Sequence, residues 1–187
     1  MLELTTPPDL STVDFGQLPQ HHSVVTLQEA NKVIRRYPFH PHYSIYPPRS
    51  DQSAELPSRG RVAIYADQLE AGFRMPTTWF LRNCLRYWGV RITQLTPNTV
   101  WVLVGFQMLC RHQKITPTVN LFRRCYTIKN SGSEKGWFYF GNKVPKLVVD
   151  APTSIKDWKR NFVFVSADDF PRGFWWKPPT PVKDTSM

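Results

Sequence analysis

The chain has 187 residues, the size of one ordinary domain with tails, and a core of that size folds without a disulfide or a metal. Hydrophobic residues make up 41% and charged residues 20%, a composition that excludes a disordered chain. No apolar run approaches the roughly 18 residues of a membrane-spanning helix, so we expect no membrane partner.

Positive charge is concentrated in the middle of the sequence. The net charge is +10, and residues 61–129 carry 10 basic and 2 acidic side chains. Arg predominates there, and its guanidinium group binds phosphates and stacks on bases, which makes RNA or DNA a candidate partner. The alternative is that these cations close helix C-termini or cover the core with their aliphatic stems. The candidate nucleic-acid-binding residues are Arg82, Arg86, Arg91, Arg111, Lys114, Arg123 and Arg124.

Residues 1–60 are predicted to be an N-terminal extension. It holds one short helix, from Leu27 to about Arg36, which Thr26 and Glu29 begin as a capping box. Five prolines in the stretch 38–60 predict an extended linker after this helix. The first residues lack the basic and apolar regions of a signal peptide. We therefore expect an intracellular protein, cytoplasmic or nuclear and not secreted.

The predicted main domain covers residues 61–170 and begins with a cluster of helices. Residues 62–65 fit either a short strand or the start of a helical turn, and one or two helical turns follow up to Gly72. Three further helices are predicted over 75–88, 97–112 and 117–126, each with a proline near its first turn. The helix 97–112 is apolar around most of its circumference, which predicts a central position.

After residue 130 the pattern changes to short aromatic and β-branched runs, which favour strands. Strands are predicted over 136–140, 146–149 and 161–165, the first two as a hairpin, with a helix of one to two turns over 155–160. If one face of 136–140 is open, either Trp137 and Tyr139 or Phe138 and Phe140 form a platform for stacking bases. The predicted fold class is α+β: about four helices, then a small antiparallel β-sheet, with extended Pro-rich tails that include 171–187.

No motif supplies catalytic or cofactor chemistry. Cys84, Cys110 and Cys125 lack CxxC spacing, so we expect buried free thiols rather than disulfides or a zinc site. A metal nuclease needs three clustered carboxylates, and residues 61–129 offer only Asp67 and Glu70. We therefore predict no catalytic residue, no metal, no cofactor and no small-molecule substrate. Four histidines are expected to be solvated: His21, His22, His40 and His42. Five tryptophans are assigned to the core: Trp79, Trp88, Trp101, Trp137 and Trp158.

Short motifs, in a fixed order, resemble a family of plant proteins. They are LEAGFRMP at 69–76, LTPN at 95–98 with VGF at 104–106, PTVNLFRR at 117–124, GWFYF at 136–140 and KDWKRNFVFV at 156–165. These segments are similar to motifs of the gypsy-type transposon domain, also called plant transposon protein, which lies in the gag-like region of plant LTR retrotransposons. The resemblance covers about residues 61–170, and the family has no established catalytic residues to carry over.

Two main hypotheses for the function follow. The first is a non-enzymatic, gag-like structural or interaction module of a plant retrotransposon or a domesticated relic, acting in assembly through self-association or by holding element RNA or proteins. The alternative is sequence-independent nucleic-acid binding through the Arg-rich surface, which predicts affinity that falls steeply with salt. A third hypothesis, an enzyme remnant, requires a convergent carboxylate or Cys/His site.

Overall fold

A computed structural model describes residues 21–55, 57–58, 60–132, 136–149 and 155–166 of the chain. In these residues the fold is α+β, as predicted. The helices are α1 (Leu27–Arg36), α2 (Ala66–Glu70), α3 (Trp79–Trp88), α4 (Pro97–His112) and α5 (Val119–Cys125). The strands are β1 (Ile45–Tyr46), β2 (Arg61–Tyr65), β3 (Tyr126–Asn130), β4 (Phe138–Asn142) and β5 (Phe162–Ser166). The predicted tail 171–187 and residues 1–20 lie outside the described residues.

Threonine caps fix the starts of four helices. Thr26, Thr78, Thr96 and Thr118 each accept a hydrogen bond from the backbone N–H three residues later. The predicted bounds of α1 and α4 are confirmed, and so is the capping box of α1. Helices α3 and α5 begin later than predicted, because their caps are the threonines directly before residues 79 and 119. No helix in the described part of the chain is long and apolar enough to cross a membrane.

One three-stranded sheet brings β5, the last strand of the described chain, between β1 and β2. Its strand order is β1-β5-β2, and all pairs are antiparallel, with Ile45 opposite Val165 and Ala63 opposite Phe164. Residues 62–65 are therefore strand rather than helix. The stretch 38–60, expected to be an extended linker, contributes β1 and is tied to the sheet. The pairing of β1 with β5 was not predicted, because Ile45 and Val165 lie 120 positions apart in the sequence.

A second sheet is the hairpin of β3 and β4, in which Ile128 lies opposite Phe140. The predicted strand 146–149 is wrong, because β3, which continues directly from α5, takes the place beside β4. Val148 packs instead on Gly105 of α4, where an added Cβ would lie 2.8 Å from Val148 Cγ1. The helix predicted over 155–160 is a single 3₁₀ turn, Trp158–Arg160.

The main core is aromatic and centres on Phe122 of α5, which is fully buried. Its ring lies 4.6–5.8 Å, centroid to centroid, from five rings of α3, α4, β3 and β4: Phe80, Trp88, Phe106, Tyr126 and Phe140. Such edge-to-face and offset pairs add to the stabilisation from burial. Helices α3 and α5 are thereby held side by side.

The prediction that five tryptophans belong to the core is correct for three. Trp88, Trp137 and Trp158 are buried, and Trp101 is half-buried and packs against the main core. Trp79 is 66% exposed, so its assignment to the core is wrong. The turn of α3 that buries Phe80 and Leu81 leaves Trp79, at the first position of the helix, in solvent.

Candidate nucleic-acid interface

The middle of the chain carries cations without any carboxylate of its own. Between residues 71 and 133 the sequence has nine Lys or Arg and no Asp or Glu. This stretch forms α3, α4, α5 and β3. Three ion pairs between described residues lie outside this stretch: His21–Glu55, Arg36–Glu70 and Arg49–Asp51. The stretch is therefore an electropositive part of the molecule.

Helices α3 and α5 pack against each other and carry four of the predicted arginines. Arg82 and Arg86 are four residues apart on α3, so they share one face of the helix. Arg123 and Arg124 lie in the last turn of α5, and the Arg123 guanidinium carbon lies 5.5 Å from the centre of the Tyr87 ring on α3. Arg86 and Arg124 are exposed, and the other two are half-buried. We call these four arginines the α3–α5 face.

The other predicted cations lie in different settings. Arg111 and Lys114 are exposed at the end of α4, in the turn that leads to α5. Arg91 is half-buried after α3, and burial lowers the pKa of its guanidinium below the usual value. Its Nη2 is buried without a hydrogen-bond partner among the described residues. Arg91 is thus less open to a phosphate than the exposed members of the set, and a binding role for the seven stays a prediction.

Sequence reasoning missed two cations that the fold adds to this region. Lys143 follows β4, yet its Nζ donates a 3.0 Å hydrogen bond to the carbonyl of Arg123, which places it at the end of α5. Lys129 lies opposite Tyr139 in the hairpin, and its side chain passes over Gly141. Only the pairing of β3 with β4 places Lys129 and Lys143 in this region, and that pairing was not predicted.

The hypothesis of a two-ring platform on residues 136–140 is wrong. Phe138 and Phe140 are buried in the main core, because β4 packs against α4 and α5. Trp137 is buried in a second cluster with Tyr65 and other aromatic residues. Of the four rings considered, Tyr139 alone is exposed, at 38%.

A buried polar cluster also escaped the sequence analysis. The Glu55 side chain is 5% exposed and accepts hydrogen bonds from the His21 backbone N–H at 3.1 Å and its ring Nδ1 at 3.3 Å. Burial, with the Glu55 charge nearby, raises the pKa of Tyr65 far above its usual value. The expectation that His21 is solvated is therefore wrong, whereas His22, His40 and His42 are exposed. The cluster ties residues 21 and 55 to the second aromatic core.

A cavity of about 490 Å³ lies beside α1, and no residue of the α3–α5 face lines it. Its charged lining mixes three carboxylates with two lysines: Glu29, Lys32, Asp67, Lys156 and Asp157. Burial, followed by the charge of Glu70, raises the pKa of Asp67. In the described ranges no three His, Cys, Asp or Glu side chains are placed to hold a metal ion. Asp150, Asp168 and Asp169 lie outside those ranges.

The cysteines are free, as predicted, and two of the three are buried. Burial raises the pKa of the Cys84 and Cys110 thiols, which opposes formation of a nucleophilic thiolate. Cys125 is half-buried at the end of α5. These thiols serve the packing of α3, α4 and α5.

Comparison with known proteins relates part of the chain to a protein family. Residues 62–130 match the family model described as "Putative gypsy type transposon". The match runs from β2 to β3, includes the α3–α5 face and confirms the resemblance that the motifs indicate. The chain is thus related to retrotransposon proteins. No curated protein and no solved structure gave a significant match.

Proposed function

We propose that this chain is a non-enzymatic, gag-like structural module of a plant retrotransposon or of a domesticated relic, and that it acts in assembly by holding the element's RNA. The family match over residues 62–130 supports the relation to retrotransposons. The observation that carries the proposed activity is the cationic stretch 71–133, which has no carboxylate and presents four arginines on the α3–α5 face. Recognition is through phosphates and is independent of sequence.

The test is fluorescence anisotropy of the full chain with a fluorescein-labelled 20-nucleotide RNA at about 0.1 M salt. The double variant Arg111→Gln/Arg124→Gln removes two exposed cations of the stretch and should weaken binding about 5-fold or more. The matched control, Lys32→Gln/Arg35→Gln, removes two exposed cations of α1 and should change affinity by about twofold or less. Equal losses in both double variants, or no binding by the unmodified chain, would contradict the proposal.

A second candidate function is assembly by self-association. Residues 143–149 follow β4 without forming a helix or strand, and three of their apolar side chains are exposed: Val144, Leu147 and Val149. Exposed apolar residues close together are typical of interfaces. Sedimentation velocity should show an oligomer that Leu147→Ser/Val149→Ser dissociates and that Val24→Ser/Leu27→Ser, on exposed residues before and at the start of α1, leaves intact. A monomer at all concentrations would count against this candidate.

A further inference from the structure

The α3–α5 face has an aromatic ring at one end. Trp79 begins α3 and is 66% exposed, while the other tryptophans of the described chain are buried or half-buried. Trp79, Arg82 and Arg86 recur at spacings of three and four residues, so they form one stripe along the helix. The stripe is about 10 Å long, since each helical residue rises about 1.5 Å.

The backbone that carries this ring is held in place. Thr78 caps α3 by accepting a hydrogen bond from the Leu81 N–H, and its hydroxyl lies 2.8 Å from Gln107 Oε1 on α4. The first turn of α3 is thus fixed to α4. A large ring on a fixed backbone loses little conformational entropy when a ligand covers it.

Arg82 is oriented beside the ring. Its guanidinium carbon lies 5.6 Å from the centroid of the Trp79 ring, within the range of a cation–π contact. Its Nε is buried and has no hydrogen-bond partner within the described ranges. The pair therefore places a cation beside a ring that is largely exposed to solvent, and Arg86 lies one turn further along the helix.

We propose that Trp79 and Arg82 form a stacking site for an unpaired base, with Arg86 and the rest of the α3–α5 face binding the adjoining phosphates, so that the protein prefers single-stranded over duplex RNA. The inference rests on the proposed function and names its substrate class. An exposed ring accepts any base, because every base has a π-face, whereas duplex bases are already stacked on each other. Phosphate contacts alone do not give this preference.

The experiment compares the affinities of the full chain for a labelled U20 RNA and for a 20-base-pair RNA duplex. Trp79→Leu removes the ring, and Trp79→Phe keeps a smaller one. Met108→Ala is the matched control, because it shortens another exposed apolar side chain, on α4, that has no ring. Circular dichroism of each variant checks that the fold is retained, as expected for exposed positions.

We expect Trp79→Leu to weaken U20 binding about 5- to 100-fold and duplex binding by about twofold or less. Trp79→Phe should retain most of the affinity for U20, and Met108→Ala all of it. Quenching of tryptophan fluorescence by U20 should be larger in the unmodified chain than in Trp79→Phe.

Three results would overturn the inference, and they have different meanings. The first is that Trp79→Leu binds U20 as tightly as the unmodified chain does, or that its affinities for U20 and for the duplex fall by the same factor. In either case the ring does not stack on bases, although the proposed RNA binding stands. If Trp79→Leu leaves RNA affinity unchanged and lowers the sedimenting mass, the ring is a contact between protein copies. If the unmodified chain binds neither RNA, the proposed function fails as well.

Discussion

At the scale of single residues, Phe122 joins the helices to the hairpin. Its ring contacts five aromatic rings from four elements, and its exposure is 0%. A cavity at this position would be lined by these aromatic side chains, and the structure around such a cavity relaxes only partially.

We predict that Phe122→Ala lowers the free energy of unfolding by about 3–5 kcal/mol, because it removes a fully buried ring and leaves a cavity. Urea denaturation followed by circular dichroism measures the loss. Phe122→Leu should cost markedly less, since it fills most of the volume. Equal and small losses for both variants would show that the ring is not central to the core.

Cys84 provides a residue-scale prediction about pH. Burial raises the pKa of its thiol far above the ordinary value of 9.0. The thiol therefore stays protonated in the folded state while the unfolded chain loses the proton, so its contribution to stability is complete below pH 9 and is lost as the pH rises. The tyrosines Tyr65 and Tyr126 act in the same sense only above about pH 10.

Between pH 8 and pH 10 the unmodified chain should lose about 1 kcal/mol more stability than Cys84→Ser, whose side chain does not ionise. Urea denaturation at half-unit pH intervals gives the two curves. Parallel curves would mean that the Cys84 thiol ionises equally easily in the folded protein.

At the scale of elements, one buried side chain connects α2 to the turn before α4. Gln68 is fully buried, and its Nε2 donates to the carbonyls of Ile92 and Leu95 at 2.8 and 2.9 Å. Its Oε1 accepts from the Tyr65 N–H at 3.3 Å. This buried amide with three partners therefore ties the end of β2 to the turn that leads into α4.

Gln68→Leu keeps the approximate size of the side chain but leaves buried carbonyls without a donor. We predict a loss of about 1–3 kcal/mol in the free energy of unfolding. Glu70→Gln, which removes a surface ion pair with Arg36, is the control and should cost well under 1 kcal/mol. A Gln68→Leu protein as stable as the control would show that water replaces these bonds.

Elements that depend on local signals could be predicted from the sequence, and those that depend on distant partners could not. Thr26 and Thr96 begin α1 and α4 at the predicted residues because a cap acts within one turn. β1 exists only because Val165 and Phe164 lie beside it in the folded chain. The exposure of Trp79 was missed for a related reason, since apolar residues next to it in sequence do not show which face another helix covers.

At the scale of the whole molecule, the acidic side chains are absent from one long cationic stretch of the chain. The surface around α1 and the cavity mixes Glu, Asp and Lys, whereas the stretch 71–133 has cations only. Composition alone revealed the excess of Arg in this stretch. That Arg123 lies over the Tyr87 ring of α3, and that Lys143 reaches the end of α5, follows from how the helices and the hairpin pack, which needs the fold.

The central claim, that this cationic region holds RNA through its phosphates, is tested most directly by the salt dependence of affinity for U20. A plot of log Kd against log salt concentration gives the number of phosphate contacts, at a slope of about 0.7 per contact for a single strand. We predict contacts by four to six cations and a slope of about 3–4 for the unmodified chain, which Arg123→Gln/Arg124→Gln lowers by about 1.4. A slope near zero, or one that this double variant does not change, would contradict the account.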